Sequence, residues 1–127
     1  MSAYPPFGLA RPRTELRREL VAAVLAGEKT ATAGLAEEWA AEGEAVPATG
    51  DPFLLEGYDE EPVAVVEVTE ARVVPASAID VQFARDEGEG FETVEDWRVA
   101  HERFFERPIG PDTEIVAIRF RVVEVLA

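Results

Sequence analysis

Cysteine is absent from this chain, which excludes disulfide bridges, thiolate metal sites and cysteine nucleophiles, and nothing argues for an oxidising compartment. Histidine occurs once, at His101, so no imidazole pair can hold a transition metal, and a hard-cation site would need more oxygen ligands than the sequence places together. No metal or organic cofactor is therefore expected. No stretch approaches membrane-spanning length, and the opening "MSAYPPFGLARPR" lacks the apolar core of a signal peptide, so a cytoplasmic protein without a membrane partner is expected. Positive charge is scarce too. Twelve basic against 26 acidic residues give a net charge of −14, which repels polyanions and argues against double-stranded DNA as a partner.

The scarcest cation is lysine. Eleven of the twelve basic residues are arginine, and Lys29, in "GEKTAT", is the exception. Burial can render a lysine neutral, so that it serves as a base, whereas a guanidinium stays charged. Thr30 and Thr32 follow closely, and a hydroxyl beside a neutral lysine is an activated nucleophile. In an ideal strand the two threonines share a face and Lys29 points to the other, so Lys29 meets Thr32 only if the chain bends after Gly27. Without that bend both threonines are ordinary strand residues.

The 127 residues suit one domain, 1–127, with residues 1–13 as an irregular arm. Leu16, Leu20, Val21, Val24 and Leu25 recur at helical spacing and Gly27 offers a left-handed terminus, which predicts a helix over 14–26. "KTATA" reads as extended, Leu35 to Ala41 as a short helix, and Phe53 to Leu55 as a strand. That strand is followed by "EGYDEEP", a turn, and then by "VAVVEVTEARVV", the longest β-rich run, so the two make a hairpin. Ala76 to Asp86 reads as one short helix closed by "GEG". Thr93 caps a helix that Pro108 to Pro111 stop, and "TEIVAIRFRVVEVLA" closes the chain as a strand. Strands interleaved with helices, without a βαβ beat or a glycine-rich phosphate fingerprint, give an α+β fold: a small mixed, mostly antiparallel sheet or barrel flanked by helices.

Other side chains carry two readings each. Glu87 and Glu89, in "DEGEG", are carboxylates on a tightly turned backbone; they are either solvated or, if Glu87 faces Lys29, part of an acid–base pair. Arg11, Arg13, Arg17 and Arg18 are either phosphate contacts or partners of Glu15 and Glu19. His101 lies in a stripe with Trp97, Phe104 and Phe105 and reads as a packed, hydrogen-bonded residue before a catalytic base. Trp39 and Tyr58 either pack or stack a base.

Together "FG" at residues 7–8, "ELVAAVLAGEKTATAGL" at 19–35, "GEAVPATGD" at 43–51, "PVAVVEVTEARVV" at 62–74, "FARDEGEG" at 83–90 and "WRVAHERFF" at 97–105 resemble the ASCH domain family. That resemblance implies a PUA-like β-barrel and an association with RNA, some members cleaving single strands. Small bacterial members hydrolyse cytidine acylated on its exocyclic nitrogen with a lysine, a threonine and a glutamate, which fall on Lys29, Thr32 and Glu87. Those hydrolases carry a basic residue soon after the threonine, where this chain has Ala33 and Gly34.

The resemblance thus implies a metal-independent amidohydrolase acting on a modified nucleoside, with Lys29, Thr32 and Glu87 catalytic and Thr30, Glu89, Arg11 and Arg13 contacting substrate. Two alternatives stand beside it: a single-strand RNA binder or ribonuclease, and a non-catalytic module that binds RNA, a small ligand or a protein.

Overall fold

The protein is described by a computed structural model, which covers residues 4–7 and 14–126. The elements run α1 (Glu15–Leu25), β1 (Ala31–Leu35), α2 (Ala36–Ala41), β2 (Pro52–Glu56), β3 (Pro62–Pro75), a 3-10 turn (Ala76–Ala78), α3 (Val81–Asp86), α4 (Val94–Phe105) and β4 (Glu114–Val125). The four strands form one antiparallel sheet in the order β1-β4-β3-β2, and a parallel bridge from Pro6 to Leu54 makes it mixed. The register of β3 against β4 slips between Val65 and Val66 and again between Val68 and Glu70. Such bulges bend and twist a long strand, and here they curl the sheet into a half-barrel flanked by helices, the expected α+β fold.

The alternation in β4 is legible in its burial. Val116, Ile118 and Phe120 join Leu20, Val21 and Val24 of α1 and Val66 and Val68 of β3 in one core. The opposite parity, Ile115 and Ala117, packs with Ile79, Phe83, Trp97 and Ile109 in a second. Both faces of the first half of β4 are therefore covered, which its unbroken apolar run required. Two arginines flank Phe120 on the opposite parity: Arg119 pairs with Asp86 at 2.7 Å and Arg121 with Glu67 at 3.0 Å.

Two helix ends differ from expectation. The segment 76–86 is not one helix: Ile79 is extended (φ −72°, ψ 119°), and Asp80 restarts the chain by accepting from Phe83 N at 2.8 Å. An aspartate that caps forward cannot also sit inside a helix. The helix capped by Thr93, whose hydroxyl accepts from Asp96 N at 3.0 Å, ends at a left-handed Glu106 (φ 58°), before Pro108 has any part in stopping it. Of the basic cluster, Arg11 and Arg13 lie outside the described residues. Arg17 is buried, and Arg18 sits 4.0 Å above the Tyr58 ring and 3.9 Å from Glu15, the pairing alternative to phosphate contact.

Gly88 ties two distant segments together. Its φ is +72°, and a Cβ there would stand 2.5 Å from the carbonyl oxygen of Glu28. Gly88→Ala is expected to cost about 2 kcal/mol, since both the left-handed backbone and the contact with another backbone resist relief. A chemical denaturation midpoint equal to that of the parent protein would overturn this expectation.

Candidate functional site

Helix α1 ends at Gly27 (φ +78°), and the amides of Glu28 and Lys29 both donate back to Ala23 O, at 2.9 and 3.1 Å. This is the bend that the sequence required but could not establish. It holds Lys29 and Thr30 outside β1, which begins at Ala31, so strict strand alternation does not govern their side chains. Thr30 then joins three parts of the fold, its amide donating to Asp86 O at 2.7 Å and its carbonyl accepting from Phe120 N at 3.1 Å. The end of α3 is thereby fixed beside Lys29.

Lys29 is 1% exposed, and its ammonium donates to Ala31 O at 2.9 Å and Glu87 O at 3.2 Å. Two carboxylates stand close to the same nitrogen, Glu89 at 3.5 Å and Glu87 at 3.7 Å. An ammonium presents compact, radially placed donors, and oxygens surround it here at short range. A planar guanidinium, a larger head with donors fixed in one plane, would overrun that cage. The single lysine has a structural reason as well as a chemical one.

The two glutamates play different parts. The Glu87 side chain is 2% exposed, whereas that of Glu89 is 27% exposed. Trp97 Nε1 donates a short hydrogen bond to one Glu87 oxygen, and His101 Nε2 donates to the other at 3.2 Å. The second ring nitrogen, Nδ1, donates to Trp97 O at 2.8 Å, and the imidazole stacks on the indole at 4.3 Å. Both ring nitrogens thus face oxygen acceptors, which the imidazolium satisfies together. Burial disfavours that charge, but the hydrogen bond from His101 to Glu87, the Glu87 and Glu89 charges and the Trp97 carbonyl outweigh it, and the His101 pKa is raised. The Glu89 carboxyl is also raised, first by burial and then by the Glu87 charge, against the pull of Lys29 and His101. Two cations and two carboxylates balance in the buried cluster.

Because the folded state binds the His101 proton more tightly than the unfolded chain, the stability it contributes is fully present below pH 6.5 and is lost as pH rises through the raised value. Urea unfolding above pH 6.5 should show stability declining with pH. His101→Gln should flatten that decline, and an unchanged slope would sink the assignment.

Lys29, Thr32, Glu87, Glu89 and His101 line one cavity of about 370 Å³. Thr32 is half-buried on β1, paired with Ile118, while the Thr30 side chain is exposed and is not part of the lining. Of the residues expected from the sequence, Lys29, Thr32, Glu87 and Glu89 come together; Thr30 does not, and Arg11 and Arg13 lie outside the described residues. The sequence placed His101 correctly as a packed, hydrogen-bonded residue but gave no sign that its partner is Glu87. It missed Trp97 as a donor altogether. The signal available was the Trp97–His101 spacing, one helical turn that stacks the rings on a common face. Among the described residues no group of three or more His, Cys, Asp or Glu side chains is arranged to hold a metal ion, and no helix is long and apolar enough to cross a membrane.

A family model described as "ASCH domain" matches residues 8–124. Among solved structures, a protein of Enterococcus faecalis V583 labelled with the family model DUF984 is similar over 87% of this chain and 71% of its own, at 27% identity and a TM-score of 0.76. An ASCH domain from Lactobacillus crispatus JV V101 is similar over 94% of this chain and 79% of its own, at 24% identity and a TM-score of 0.79, a likeness of fold. No curated protein matches the chain.

Proposed function

Because the chain belongs to the ASCH domain family, which points to an RNA-binding or hydrolase-like module, we propose that its buried cluster is the active site of a metal-independent amidohydrolase acting on cytidine-type nucleosides acylated on the exocyclic nitrogen. The observation that carries this reading is the convergence of Lys29, Thr32, Glu87 and Glu89 on one cavity from segments far apart in sequence. A buried lysine, a hydroxyl and a carboxylate beside the lysine are the parts that acyl transfer requires.

The geometry divides the roles. Both carboxylate oxygens of Glu87 are engaged by Trp97 and His101, so Glu87 is a positioning residue for Lys29. Glu89, more open to the cavity and 3.5 Å from Lys29 Nζ, is the carboxylate that exchanges protons with substrate. In the reaction a proton passes from Lys29 Nζ to Glu89, 3.5 Å away, leaving a neutral amine. That amine accepts the Thr32 hydroxyl proton as Oγ1 bonds to the acyl carbon. As the carbon–nitrogen bond breaks, Glu89 returns its proton to the leaving amine, giving free cytidine and a Thr32 ester. Water then cleaves the ester: it transfers its proton to the Glu89 carboxylate and its hydroxyl to the acyl carbon, and Lys29 returns a proton to Thr32. The carboxylic acid leaves, and the proton now on Glu89 passes back to Lys29, 3.5 Å away, which restores the resting charges.

The test is a panel of acylated cytidines and single-stranded RNA incubated with the parent protein and Lys29→Arg. Release of carboxylic acid by the parent, lost in Lys29→Arg and insensitive to salt, is the expected result. No release from any acylated cytidine would overturn the reading. Steeply salt-dependent RNA cleavage or binding would point instead to phosphate contacts. The burial of Arg17 and the engagement of Arg18 with Tyr58 and Glu15 weigh against that outcome.

A further inference from the structure

The cavity around Lys29 is not isolated. Thr32, Ala33 and Phe104 line it and also line a second, larger cavity of about 580 Å³, so Thr32 borders both. The second cavity has an apolar lining in Trp39, Phe53, Phe104 and Pro47, with Glu38, Glu42 and Glu44 among its acidic members. Gly34 makes room for it: a Cβ there would stand 2.5 Å from Trp39 Nε1, so the bare backbone lets the indole lie against β1.

Cleaving an amide fixes which part of the substrate lies where. The leaving nitrogen must receive a proton, and the donors, Glu89 and Lys29, line the smaller cavity and not the larger one. The nucleoside therefore occupies the cavity around Lys29, and the acyl group, on the far side of the bond that Thr32 attacks, extends into the one walled by Trp39 and Phe53. An apolar acyl chain gains there by leaving water. An anionic acyl group meets the acidic residues and the −14 charge of the chain.

We propose that the cavity bounded by Trp39, Phe53 and Phe104 is an acyl-binding subsite, which makes the preferred substrates nucleosides carrying an extended, uncharged, apolar acyl group. The inference rests on the amidohydrolase reading and adds to it the identity of the acyl part.

The experiment compares kcat/KM for acetyl-, hexanoyl- and succinyl-cytidine with the parent protein, Trp39→Ala and Phe104→Ala. Hexanoyl should exceed acetyl by about tenfold or more, since several methylenes leave water together, and succinyl should fall below acetyl. Trp39→Ala should reduce the hexanoyl-to-acetyl ratio at least fivefold. Phe104→Ala alters a side chain that is 53% exposed and should reduce the same ratio without threatening the fold. Equal turnover of acetyl and hexanoyl, or a ratio that neither folded variant changes, overturns the subsite and leaves the hydrolase reading standing. No turnover of any of the three overturns both.

Discussion

Glu87→Ala is expected to lower the free energy of unfolding by about 3–5 kcal/mol, the range for removing one partner from a buried ionic cluster. The large cost follows from what remains. The Lys29 ammonium keeps only the more exposed Glu89 as counter-charge, and the Trp97 indole and the His101 ring each lose the oxygen they donate to. The Trp97 indole cannot reach water without opening the second core, in which it is 1% exposed. Glu89→Ala should cost clearly less, because the Glu89 side chain already meets solvent and holds only one edge of the lysine. Urea denaturation of the two variants side by side decides the matter, and a larger loss for Glu89→Ala would reverse the division of roles drawn between the two carboxylates.

Thr32→Ala is expected to reduce kcat by about 10³-fold or more while leaving the denaturation midpoint nearly unchanged, as losing a nucleophile removes a step that nothing else in the site performs. Thr30→Ala serves as the comparison. The Thr30 side chain is exposed, and the hydrogen bonds that join Asp86, Thr30 and Phe120 run through backbone that alanine preserves. Thr32→Ser should keep much of the activity, since it retains the hydroxyl. If Thr32→Ala turned over acylated cytidine at the parent rate, a water molecule would have to be the attacking group.

The contrast between those two threonines measures what the sequence could convey. Period and punctuation were legible: the apolar spacing of α1, the stop at Gly27, the Thr93 cap and the two parities of β4 are local patterns, and local patterns follow from backbone geometry. Lys29 stood out because the chain writes its other eleven basic residues as arginine. The direction of its side chain was not legible, because it depends on two amides turning back to Ala23 and on a glycine, sixty residues on in the chain by rough count, that lets another backbone approach. The break at Ile79 was missed because a capping aspartate and a mid-helix aspartate look alike until the chain's path is known. The clamp on Glu87 was missed because a tryptophan in an apolar stripe gives no sign of where its N–H points.

The chain has two tryptophans, and the fold has put them to separate uses. Trp97 is sealed against the histidine that shares its carboxylate, and Trp39 lines the open cavity beside Gly34. Their light emission should therefore separate into two channels. An indole stacked on an imidazolium in a dry interior is quenched and blue-shifted, while one at an open wall emits to the red and is accessible to iodide. A molecule entering the aromatic cavity would alter the red component alone, and a proton leaving the histidine would brighten the blue one. The protein thus carries its own optical probes, one for occupancy and one for charge.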